Sequence, residues 1–247
     1  MSIKTCFSNT LKSIILFFLF FAFLFLGTAN AHHVWLESDS QQSSSTETNR
    51  YWVKFGHVQS ESYPQDKLKN VQVFDISANP LAFSQQYQAE QQEVLLKLPQ
   101  ASAVVLLDFD NGIWSKLPNG RYVEQSKRET PSAVSSVNSI KIGKIILQWS
   151  PTALQPFDSA YELVPQAKAQ TGKPLNIRVL QNGLPVAGVN VGFANRTLSL
   201  TSDQNGMVSI TPEAGENKIL AEFQQDVKGN PDYDTRSVEY LLSFKAG

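Results

Sequence analysis

Three histidines are the residues best suited to chemistry in this chain. All lie near its start, at His32, His33 and His57. Imidazole nitrogen is a ligand for nickel, copper, zinc and cobalt. The stretch "ANAHHVWLE" adds a second donor if the chain is cut after Ala31. His32 would then carry a free α-amine, with a pKa near 8, beside its own ring. Amine and imidazole of one residue can chelate a single cation, and binding releases the proton. His57 ends the segment "RYWVKFGH", and Glu61 follows four residues later as a carboxylate donor. His32, His33, His57 and Glu61 are therefore the candidate metal ligands. A Gly-His pair at a strand end is also an ordinary packing arrangement, and so is a frayed terminal histidine.

The cut is expected because residues 1–31 have the layout of a secretory signal. Lys4 and Lys12 precede the apolar run Ile14 to Leu26, and Ala29-Asn30-Ala31 fits the A-x-A cleavage pattern. The run is short for a span, which needs about 20 apolar residues. A retained membrane anchor is the alternative. A cut after Ala29 would instead leave Asn-Ala-His, a different chelating set built from backbone amides. Cys6 is the only cysteine and lies before the apolar run, so no disulfide or thiolate ligand is expected in the mature chain. This fits the periplasm. Loss of Lys4 and Lys12 takes the formal charge from −1 to about −3. No basic stripe is present, which argues against nucleic-acid binding.

The elements that must position these residues read as strands. "RYWVKFGH" and "NVQVFDI" alternate in the two-residue period of a half-buried strand. "EVLLKL" and "SAVVLLDFD" are continuously apolar, as strands buried on both faces are. "DNGIW" and "PNG" read as tight turns, and Asn182-Gly183 as a hairpin turn. Asp39 to Asn49 and Ser126 to Asn138 read as loops. If alternation holds from the start, His33, Trp35 and Glu37 share one face and Val34 and Leu36 the other. Glu37 would then be a further ligand or a partner to an imidazole. In a β domain the first two strands are commonly neighbours, which would bring His57 to the head of the first strand. Pro151 and Pro156 mark a boundary. The expected organisation is all-β, with a signal peptide at 1–31, a β-sandwich with the metal site at 32–155, and a second β-sandwich at 156–247. All four tryptophans fall in the first part, which suggests one aromatic and one aliphatic core.

The second part resembles the carboxypeptidase-regulatory, transthyretin-like β-sandwich. It carries "G-x-P-V-x-G-x-x-V" at Gly183 to Val191 and "T-x-D-x-x-G" at Thr201 to Gly206. The ordered series "HHVWLE", "FGHVQSESYP", "DNGIW", "SIKIGKIIL", "YELVP" and "DYDTRSVEYLLSF" resembles a wider family. Its members are secreted bacterial proteins described as periplasmic components of nickel/cobalt uptake, with a domain of otherwise unknown function. That resemblance implies a histidine three residues before the Trp of "W-L-E", here His32, and the pair Gly56-His57.

Together these features lead to an expected role. The chain would be a periplasmic nickel- or cobalt-binding accessory protein, not an enzyme. It would hold the ion at the mature N-terminal histidine and pass it to a membrane transporter or outer-membrane receptor. Once processed it would not itself span the membrane. Copper and zinc are alternative ions. A periplasmic copper carrier is the alternative within binding proteins, since such carriers are also β-sandwiches with an N-terminal histidine. A metal-free adhesion or scaffold sandwich is a second alternative. A copper-dependent polysaccharide monooxygenase is a third, with Trp35, Trp52 and Trp114 as its aromatic face.

Overall fold

A computed structural model of the chain describes residues 32–40, 48–57 and 59–247. The expected signal peptide, Cys6 and both alternative cut sites lie outside the described residues. Among the described residues there is no α-helix, and none of the elements is a helix long and apolar enough to cross a membrane.

The strands are β1 (His33–Ser38), β2 (Thr48–Gly56), β3 (Ser60–Glu61), β4 (Leu68–Phe74), β5 (Ser84–Gln88), β6 (Glu93–Pro99) and β7 (Val104–Lys116). There follow β8 (Tyr122–Val123), β9 (Ser135–Ile146), β10 (Tyr161–Pro165), β11 (Leu175–Gln181) and β12 (Leu184–Pro185). The chain ends with β13 (Asn190–Phe193), β14 (Leu200–Thr201), β15 (Met207–Ile210), β16 (Gly215–Asp226) and β17 (Thr235–Ala246).

They form three sheets. The first has the order β1-β2-β6-β5, with β3 added to β2. The central sheet runs β14-β13-β16-β17-β9-β7-β4, with β8 on β7. The third runs β10-β11-β12, with β15 on β11. Pairing is antiparallel except between β9 and β17, which run parallel from Val137 beside Thr235 to Ile146 beside Phe244.

Each face of the central sheet is buried, and side-chain alternation decides which residue serves which face. On β17, Val238, Tyr240, Leu242 and Phe244 pack with Ile177, Val179 and Val208 of the third sheet. On the other face Val105, Leu107 and Phe109 of β7 meet Val53, Phe55, Leu96 and Leu98 of the first sheet. Burying a Leu- or Phe-sized side chain contributes about 1.5–3 kcal/mol. These continuously apolar strands are therefore central because both of their faces need covering.

The expected division at 155/156 is cut across by the central sheet, which takes β4, β7 and β9 from one side and β13, β14, β16 and β17 from the other. Residues Ala31–Gly247 hold together as one unit. The aromatic–aliphatic split of the cores also fails. Tyr161, Phe223, Tyr240 and Phe244 are buried in the core between the central and third sheets, and Trp35 packs on Ala194, Leu220 and Leu241.

Two local expectations change as well. "DNGIW" is not a reversal but an irregularity inside β7, where register shifts between Asp110 and Ile113 and Gly112 takes φ +85°. Ser135 to Asn138 belong to β9 rather than to a loop. Asn182-Gly183 does form the hairpin, with φ of 51° and 75°, the pair of positive values a type I′ turn requires.

Candidate metal centre at the head of the first strand

β1 and β2 pair antiparallel with His33 opposite Gly56, so His57 lies beside the head of β1. β1 lies directly on the central sheet. A Cβ on Gly143 of β9 would stand 3.2 Å from the Val34 carbonyl oxygen. Alternation holds along β1: Val34 and Leu36 enter the first core, whereas Trp35 packs with Leu220 and Leu241.

Adjacent His32 and His33 make separate sets of contacts. The His32 ring stacks on Phe55 at 5.4 Å between centroids and 24° between planes. Phe55 in turn stacks on Phe109 of the central sheet at 4.6 Å. His32 Nε2 is 2.8 Å from Glu61 Oε1, with His32 36 % and Glu61 55 % exposed. His33 is buried, 5.1 Å from the Trp35 ring and 6.3 Å, edge-on, from the His57 ring. The four expected ligands thus lie at one end of the strand pair as two couples, His32 with Glu61 and His33 with His57. Among the described residues no group of three or more His, Cys, Asp or Glu side chains is arranged to hold a metal ion. Imidazole and carboxylate are donors suited to divalent nickel, cobalt, copper and zinc. A cut before His32 would add its amine to the His32–Glu61 couple. Glu37 lies toward the other end of β1, opposite Trp52, and does not join them.

Gly56 makes the turn that brings Glu61 back. Its φ is +144°, and β3 then pairs with the end of β2, Ser60 opposite Gly56 and Glu61 opposite Phe55. A buried carboxylate fixes this hairpin. Glu93 accepts from Lys54 Nζ and from Ser60 Oγ, each at 2.6 Å. Lys54 also lies over the Trp52 ring, 5.6 Å from its centroid. Sequence reasoning did not single out Lys54, Ser60 or Glu93. The one available signal was a lysine on a strand whose neighbours are apolar or aromatic.

A second buried ionic group crosses the central sheet. Lys141, Glu239 and Glu222 are successive neighbours on β9, β17 and β16, and Lys141 is ion-paired with Glu239. Burial pushes Lys141 down against the pull of Glu239, and burial pushes Glu222 up. On these strands Glu239 and Glu222 alternate in step with Leu241 and Leu220, the residues under Trp35. Trp35 is only 6 % exposed and so offers no exposed ring beside Trp52 and Trp114.

The Domain of unknown function (DUF4198) family model matches residues 29–225. A Haemophilus influenzae protein, described only as uncharacterized, is 44 % identical over 225 residues, covering 91 % of this chain and 95 % of that protein. Among solved structures, the MG0-NIE-MG1 region of Escherichia coli α-2-macroglobulin covers 84 % of this chain and 96 % of its own, at 9 % identity and TM-score 0.21. Fibronectin(III)-like modules of Clostridium thermocellum CbhA cover 84 % and 94 %, at 11 % identity and TM-score 0.20. The β architecture rests on the strands themselves. The family model spans most of the chain, from the residues before His32 into β16, and the chain belongs to the DUF4198 family.

Proposed function

We propose that the protein is a periplasmic metal-binding accessory protein that takes up nickel or cobalt at the head of β1 and delivers it to a membrane transporter or outer-membrane receptor. The observation that carries this reading is the His32–Glu61 contact of 2.8 Å beside the His33–His57 couple. Removal of the leader after Ala31 would give His32 a chelating amine at that same point. The ion is cargo. Nitrogen and carboxylate donors at a half-exposed strand end favour uptake and release, and the role requires no bond to be made or broken in a substrate. The absence of thiolate from the donor set favours nickel, cobalt or copper over a closed structural zinc site.

The test is to isolate the processed protein from the periplasm, read its N-terminus by intact mass, and titrate Ni(II), Co(II), Cu(II) and Zn(II) calorimetrically. Binding of nickel or cobalt tighter than about 1 μM, lost in His32→Ala and weakened in His57→Ala, is the expected result. No ion bound at that strength, or binding as tight as the parent's in both variants, refutes the proposal. Strong preference for copper would reassign the cargo.

A further inference from the structure

We infer that Glu93 is a positioning residue for this site: locked by Lys54 and gripping Ser60, it holds the β3 hairpin so that Glu61 stays on Nε2 of His32, which assigns the other ring nitrogen to the cation. The inference rests on the metal-binding reading above and sharpens it, because Glu61 becomes the carboxylate that orients His32 rather than a ligand.

The chain of contacts is continuous. Glu93 is 7 % exposed, and its two carboxylate oxygens are divided between Lys54 Nζ and Ser60 Oγ, both at 2.6 Å. A buried carboxylate paired this way does not move freely, since losing either partner leaves charge or hydrogen-bonding capacity unmet. Ser60 is the first residue of β3 and lies opposite Gly56. It is exposed apart from this grip, so the grip is what ties it to β6. Glu61 follows immediately, and its Oε1 meets His32 Nε2. An imidazole that gives one nitrogen to a carboxylate has its tautomer and orientation fixed, and its other nitrogen becomes the better donor to a metal. That other nitrogen, Nδ1, is the one able to share an ion with the α-amine of the same residue. Nε2 stands on the far side of the ring and cannot close that chelate.

Ser60→Ala removes the grip and leaves the Lys54–Glu93 pair. Glu93→Gln keeps an acceptor for Ser60 and breaks the ion pair. Ser60→Thr restores the hydroxyl. Nitrogen NMR of the His32 ring in the metal-free processed protein, recorded at about pH 9 where imidazole is neutral, is expected to show mainly the tautomer protonated at Nε2. Ser60→Ala and Glu93→Gln are expected to show a mixture, and Ser60→Thr mainly that tautomer again. Nickel affinity is expected to fall by about 10- to 100-fold in the first two variants, with a changed d–d absorption spectrum, and to recover in the third. An unchanged tautomer together with affinity within about twofold of the parent in Ser60→Ala overturns the inference while the metal-binding reading stands. A parent protein that binds no nickel fails the proposed function instead, and the tautomer comparison then decides the positioning role alone.

Discussion

Replacing Gly56 by alanine tests how the fold builds the site. Gly56 closes β2 at φ +144°, a conformation L side chains rarely adopt. A Cβ there would lie 2.2 Å from the Gln59 carbonyl oxygen, 3.2 Å from its carbon and 3.3 Å from the Glu61 nitrogen. These are backbone atoms, so no side chain can swing aside, and the 59–61 segment must move. The backbone strain alone costs about 1–3 kcal/mol, and displacing the hairpin brings the total to about 3 kcal/mol. At about 2–4 °C per kcal/mol for a domain of this size, the melting temperature falls by about 6–12 °C. Gly229→Ala is the control. Its φ is +76° with no atom within 4 Å, so it pays only the backbone cost, about 1 kcal/mol or about 2–4 °C. Thermal melts by circular dichroism read both. In nickel titrations Gly56→Ala should weaken binding by more than about tenfold while Gly229→Ala binds as the parent does. If Gly56→Ala melts together with Gly229→Ala and binds nickel normally, the hairpin does not position Glu61.

Lys144 is fully buried, donates to the Gln155 carbonyl at 3.0 Å, and is held down at about 8 by burial against the pull of Glu162. A lysine depressed from 10.5 to about 8 destabilises the fold by up to about 3 kcal/mol below pH 8, an effect that fades as pH rises to the unfolded value. Lys144→Met is therefore expected to raise the melting temperature at pH 7 and to lose that advantage by pH 10.5, as pH-dependent melts would show. Lys141→Met leaves the partly buried Glu239 and Glu222 facing each other and is expected to cost about 3 kcal/mol at pH 7, the low end for a broken buried pair. Because burial raises Glu222, acidification protonates it first in the fold, so part of that loss should return as pH falls; denaturant melts measure both. Trp35→Ala empties the contact with Ala194, Leu220 and Leu241 and is expected to cost about 3–5 kcal/mol by chemical denaturation. Retaining one alanine before His32 moves the amine off that residue and breaks the amine–Nδ1 chelate. It should reduce the thermal stabilisation by excess nickel, which for the parent is about 2.7 kcal/mol at a free ion concentration 100 times Kd.

What the sequence determined by itself is what short-range physics decides. The two-residue alternation made the part beyond residue 31 read as β nearly throughout, and it assigned Val34 and Leu36 to one side of β1 and Trp35 to the other before any partner was known. Asn182-Gly183 fixed its own hairpin, because only residues tolerant of positive φ can make that turn. The pairing of the first two strands followed from their order and carried His57 to the head of β1. Tertiary structure decided the rest. Nothing local says that β9 runs parallel to β17, yet that contact between residues 98 apart, as in Lys141 and Glu239, merges the two expected sandwiches into one central sheet. "DNGIW" reads as a turn in isolation, but β7 continues through it because both faces of that strand find cover. Glu93, Lys54 and Ser60 carry no motif, since a buried ion pair is specified by which strands meet and in what register. The separation of His32 from His33 has the same origin. His32 extends the backbone just ahead of β1, where successive side chains still point opposite ways, so the neighbours that read as one motif meet different partners, Glu61 for one and His57 for the other.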